Sequence, residues 1–96
     1  MRDVTELLNK LLGSEIKGEL LILFHKNPGL TDSIDGIARR IGRTASLIET
    51  DIRDFLDLGI LRTKYINKSE VISLNASRDN EIQETLGNYL KRLNKV

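Results

Sequence analysis

The chain has 96 residues, 40% of them hydrophobic, which is enough for one compact core and too few for a second. It has no cysteine, so disulfides, thiolate nucleophiles and thiolate metal sites are excluded. Fifteen basic and fourteen acidic residues leave a formal net charge of +1, so attraction to nucleic acid cannot come from bulk charge and must be sought in local patches.

The opening Met1-Arg2-Asp3-Val4-Thr5-Glu6 brings acids at once and leads into no long apolar run, so no secretory signal is expected. Val4, Leu7, Leu8, Leu11 and Leu12 recur at intervals of three and four, predicting one face of a short helix that Gly13 ends. Ser14 is a predicted N-cap for a second helix, with Glu15 in its first turn and Ile16, Leu20, Leu23 and Phe24 as its buried stripe. The apolar stretch Leu20 to Phe24 is far too short to cross a bilayer, so no membrane association and a cytoplasmic location are expected. Asn27-Pro28-Gly29 stops the second helix.

A short extended piece at Leu30-Thr31 precedes a third helix, capped by Asp32 or Ser33, with Ile34, Ile37, Ala38 and Ile41 inward and Gly42 at its end. Only Arg43 and Thr44 separate it from a fourth helix, where Thr44 is the predicted N-cap and Ile48, Ile52, Phe55 and Leu56 the core face. Two short amphipathic helices joined so briefly cross steeply, which is helix-turn-helix geometry. Gly59 turns the chain into strands at Ile60 to Tyr65 and Glu70 to Leu74, joined by Asn67-Lys68-Ser69 as a β-hairpin, the wing. Ile82, Leu86, Tyr89, Leu90 and Leu93 mark a final helix at about 79–94, with cap candidates in Ser77 to Asn80.

The expected fold is therefore mostly α with a small β-hairpin: a single winged helix-turn-helix domain over 1–96, its core at about 12–74, with extra N- and C-terminal helices. The segment Gly42 to Leu61, with its two glycines and its apolar positions in register, resembles the recognition-helix segment of ArsR-like winged helix regulators. Leu12 to Phe24 resembles the opening helix of that superfamily, and Ile37-Ala38-Arg39-Arg40-Ile41-Gly42 its turn. The likeness spans roughly Leu12 to Leu74 and implies a transcriptional regulator that binds double-stranded DNA as a homodimer through its flanking helices. Fold does not dictate function, however, and winged helices also serve as protein-binding modules.

A helix that enters the major groove must carry donor-bearing side chains opposite its core stripe, and here that face holds Ser46, Thr50 and Arg53. Arg53 can offer guanine a two-pronged donor; its other use is an ion pair with Glu49 or Asp57, each four residues away. The same helix carries Glu49, Asp51, Asp54 and Asp57 against Arg53, a net charge of −3 that repels phosphate. Basic charge that can offset it lies at Arg39, Arg40 and Arg43 around the turn and at Arg62, Lys64 and Lys68 on the wing; such residues contact phosphate and set salt dependence without reading sequence. Tyr65 either packs the wing on DNA or is a partly buried strand tyrosine with its hydroxyl in water.

Apolar residues on the terminal helices exceed what a small core requires, so Val4, Leu7, Leu8, Leu11, Leu86, Tyr89, Leu90 and Leu93 are expected to pair two copies; the alternative is that Leu86, Tyr89, Leu90 and Leu93 cover their own domain. Catalysis is not expected: His25 is the only histidine, and no glycine-rich phosphate loop or serine-centred motif is present. No cofactor is called for, and the cysteines and clustered histidines usual in the superfamily's metal sensors are missing. The other reading, from a different class, is a winged helix that docks a basic protein partner on its acidic recognition helix.

Overall fold

The computed structural model describes residues 4–93. In chain order it has α1 (Val4–Leu12), α2 (Glu15–Lys26), β1 (Thr31–Asp32), α3 (Ile34–Arg40), α4 (Ala45–Leu58), β2 (Leu61–Ile66), β3 (Ser69–Leu74) and α5 (Ala76–Leu93). This is a winged helix-turn-helix with an added helix at each end.

The local signals explain most of the boundaries. Ser14 caps α2 by accepting the Lys17 amide at 3.1 Å, and Ser33 caps α3 by accepting the Gly36 amide at 3.0 Å. Asp32 stands one residue earlier and accepts the Ser33 amide at 2.7 Å instead. Helices α3 and α4 end alike. Gly42 (φ +70°) and Gly59 (φ +79°) take the left-handed conformation, and the next amide closes onto the preceding turn, Arg43 N–H to the Ala38 carbonyl at 2.9 Å and Ile60 N–H to the Phe55 carbonyl at 3.0 Å. That conformation folds α4 back across α3 and launches the wing.

Four expectations need correction. Thr44 occupies the N-cap position of α4 but makes no side-chain cap bond. α5 begins at Ala76, with Asn75 Oδ1 accepting the Arg78 amide at 3.3 Å, so Ser77 to Asn80 lie inside the helix. The wing turns over two residues, Asn67 (φ +51°) and Lys68 (φ +69°), so Ser69 belongs to β3. The extended piece before α3 is a third strand: the sheet runs β1-β3-β2, all antiparallel, with Thr31 opposite Ser73 and Asp32 opposite Ile72.

The core lies where α2, α3, α4 and the base of the sheet meet, and its centre is Leu20, Phe24, Ile37, Ile48, Ile52, Phe55, Ile60 and Ile72, each almost fully withdrawn from water. Burying such a side chain contributes about 1.5–3 kcal/mol, so these eight residues are the main driving force for the fold. Leu58 fills the inward position at the end of α4, and Leu56 is only partly buried. Leu11 is core and its neighbour Leu12 is exposed, so the N-terminal stripe does not carry all five of its residues inward. From α5, Ile82 joins the core. Among the described residues no helix is long and apolar enough to cross a membrane.

Candidate nucleic-acid interface

Helix α4 has two polar flanks of different character. Its outer line carries Ser46, Thr50, Arg53 and Asp57 at intervals of three and four, all exposed, and exposed Leu47 stands to one side of it, one turn ahead of Asp51. Its other flank carries Asp51 and Asp54, which turn toward α2. There the Lys17 ammonium, only 7% exposed, lies 2.7 Å from Asp54 Oδ2 and 3.9 Å from Asp51 Oδ1, and donates to the Asn9 carbonyl at 3.2 Å. One buried ammonium thus joins α1, α2 and α4. A lysine on the inward side of α2 was invisible in the hydropathy pattern, because the pattern assigns charge to solvent.

Arg53 is also engaged within the chain. Its guanidinium meets both carboxylate oxygens of Glu70 on β3, at 3.2 and 3.3 Å, and Glu49 at 3.6 Å. The Glu70 hydrogen bonds, followed by its charge, hold the Arg53 proton even more firmly than usual. The local pair with Glu49 was readable from spacing; the pair with Glu70 was not, since it spans the turn from recognition helix to wing. Asp57 makes no ion pair among the described residues.

The arginines of the turn divide. Arg43 grips Glu19 of α2 through three contacts of 2.8–3.2 Å, which together with the Glu19 charge raise its pKa. Arg40 pairs with Asp32 at 3.3 Å. Burial alone pushes the Asp32 carboxyl up, but the Ser33 amide, Arg40 and Arg39 outweigh it and hold it below its ordinary value. Arg39 is exposed and makes no ion pair among the described residues.

On the wing, strand alternation sorts the side chains. Leu61, Thr63 and Tyr65 lie opposite Leu74, Ile72 and Glu70 and share the face turned to the core and α4. Arg62 and Lys64 lie opposite Ser73 and Val71 on the other face, and Lys68 stands at the tip. All three cations are exposed and none forms an ion pair among the described residues. Tyr65 is 72% exposed, so it is not a partly buried core tyrosine; the core ends below it, near Thr63. The nine expected DNA-contacting residues therefore form three groups: Arg39, Arg40 and Arg43 at the turn, Ser46, Thr50 and Arg53 on α4, and Arg62, Lys64 and Lys68 on the wing.

The other end of the molecule is held by α5. Asp79, nearly buried, bonds His25 Nε2 at 2.8 Å and Gln83 at 2.7 Å, so His25 closes the last turn of α2 against α5. Arg78 donates to the Leu58 carbonyl at 2.9 Å, satisfying the end of α4. These ties and Ile82 all lie in the first half of α5. Further along, Leu86 and Tyr89 are half-buried and Leu90 is 55% exposed. Leu11 is inside the protomer and Leu8 half-buried, whereas the side chains of Val4, Leu7 and Leu93 lie outside the described residues.

No family model and no curated protein matches the sequence. Solved structures do match in fold. A possible transcriptional regulator from Methanosarcina mazei Go1 superposes with a TM-score of 0.66 at 13% identity, over 98% of this chain and 85% of its own. A possible transcriptional regulator for arsenical resistance gives 0.67 at 14%, over 90% and 93%. An ArsR family transcriptional regulator gives 0.65 at 13%, over 100% and 99%. At such identities the likeness is one of fold, and it extends to both flanking helices: this chain has the winged helix-turn-helix architecture of those regulators.

Proposed function

We propose that the chain is a DNA-binding transcriptional regulator that presents α4 to the major groove and the wing to the neighbouring backbone. The observation that carries this reading is the division of α4. Asp51 and Asp54 are drawn to Lys17 on one flank and Glu49 is shared with Arg53, which leaves Asp57, at the far end, as the one unpaired carboxylate of α4 among the described residues and Ser46 and Thr50 open on the outer line. Arg39, Arg62, Lys64 and Lys68 then supply phosphate contacts. Lys68 adds support of its own. It holds φ +69°, a conformation that costs a residue with a Cβ about 1–2 kcal/mol, at the point of the wing where glycine is the usual choice. Keeping a cation there at that cost is what a phosphate contact explains.

The acidic-helix docking reading loses most of its surface by the same geometry, since Asp54 is held at 2.7 Å by Lys17 and Glu49 is shared with Arg53. Of the four acids, Asp57 alone stays unpaired among the described residues.

The regulator acts as a homodimer in this reading. α5 is fixed to its own domain through Arg78, Asp79 and Ile82, while exposed Leu12 of α1 lines a small cleft with Leu21, Ile82 and Leu86, and Leu90, one turn further along α5, stays exposed. A second copy covers that apolar strip, and the two-fold axis matches a palindromic site. A cytoplasmic place of action belongs to the same reading.

The test is anisotropy of a labelled generic duplex titrated at low and near-physiological salt, with mass measured in parallel by light scattering. Binding in the micromolar to sub-millimolar range that weakens steeply with salt is expected, at twice the protomer mass of 10.9 kDa. No duplex binding at low salt overturns the regulator; a protomer mass at working concentration overturns the dimer.

A further inference from the structure

The outer face of α4 contains one side chain that a solvated helix surface does not call for. Leu47, in the first turn, is 59% exposed; it follows Ser46 in the chain and stands one turn ahead of Asp51 on the helix surface. The residue best suited to guanine on that face is occupied: the Arg53 fork is closed by Glu70 at 3.2 and 3.3 Å and by Glu49 at 3.6 Å. The first turn of a recognition helix is the part that meets base edges, and what it offers here is an isobutyl group next to the Ser46 hydroxyl. Among the base edges of the major groove only thymine presents an apolar group, its C5-methyl.

We infer that Leu47 is a specificity-determining residue that reads a thymine C5-methyl in each half-site; this rests on the regulator reading above. Ser46 and Thr50 hold the helix turn at the base edges or phosphates beside it, and the methyl packed on Leu47 is withdrawn from water. The discrimination is that of one methyl group, about fourfold in affinity per thymine contacted.

The experiment begins with duplexes selected by the wild-type protein from a randomised pool. Each thymine of the selected site is then replaced in turn by deoxyuridine, which removes the C5-methyl and leaves every hydrogen-bonding group in place. Binding is measured by anisotropy for the wild type and for Leu47→Ala, whose unchanged thermal melt checks that an exposed position has been altered without loss of fold. The expected result is one thymine per half-site at which deoxyuridine weakens wild-type binding about fourfold, and at which Leu47→Ala binds both forms alike with an unaltered salt slope. If salt-sensitive binding persists but no thymine responds, or if Leu47→Ala still tells thymine from deoxyuridine, the inference falls and the regulator reading stands. If no duplex is bound at all, both fall.

Discussion

Two ionic contacts of helix α4 use similar chemistry in different solvents. On one flank the Lys17 ammonium, 7% exposed, is shared by Asp54, Asp51 and the Asn9 carbonyl. On the other, the Arg53 guanidinium, 47% exposed, is shared by Glu70 and Glu49. The first fixes where the recognition helix sits on α1 and α2, because losing either partner leaves a charge with little water to solvate it. The second ties the helix to the wing in a place where water and salt compete with it. Ion pairs on this helix thus differ by their surroundings: the inner one supports the fold, and the outer one joins helix to wing with little effect on stability.

The largest effect should come from breaking the inner contact. Lys17→Met strands two carboxylates against the domain and is expected to cost about 3 kcal/mol, lowering Tm by more than about 10 °C in a thermal melt. Adding Asp54→Leu should recover part of that loss, since it removes one of the two stranded charges. Arg53→Ala is the matched outer break, and a stability change below about 1 kcal/mol is expected. A melt as damaged as that of Lys17→Met would abolish the distinction between the two sites.

The wing sharpens the contrast, because there stability and binding should part company. Lys68→Gly relieves a left-handed lysine and is expected to stabilise by about 1 kcal/mol while lowering the salt slope of duplex binding by about 1. Lys64→Ala should lower the slope by a similar amount with no change in melting. Least is expected of Asp32 and Arg40, another exposed pair. The Asp32 carboxyl is held below its ordinary value of 3.8, so its contribution is complete above that pH and disappears as acid protonates the folded form. An acid melt should therefore separate wild type from Asp32→Asn at neutral pH and bring them together as acid protonates the folded form, at a pH below 3.8.

How far the sequence reaches is seen by following particular residues. Ser14, Gly42 and Gly59 placed their helix ends correctly, and the choice between Asp32 and Ser33 placed another to within one residue, because capping and left-handed turns depend on a few neighbours along the chain. Ile48, Ile52 and Phe55 declared an inward face by spacing alone. Start points were less legible where the cap is an unremarkable asparagine, as at Asn75, and the strand Thr31–Asp32 is too short to show any periodicity. The candidate interface was legible as a set of residues and not as a surface. Spacing put Arg53 opposite the core but had no means to bring Glu70 to it across 17 positions, nor Glu19 to Arg43 across 24.

By itself the sequence determined the order of the elements, the residues that had to leave water and the turns that let α3 cross α4, because each depends on local conformation and on burial. Only the tertiary structure decided which charges the protein spends on itself. Lys17, Arg43 and Arg53 are held by carboxylates far away in the chain, while Arg39, Arg62, Lys64 and Lys68 make no ion pair among the described residues. The reason is physical: a charge pair forms wherever folding brings opposite charges within a few ångströms, and that distance is set by the packing of the core rather than by position along the chain.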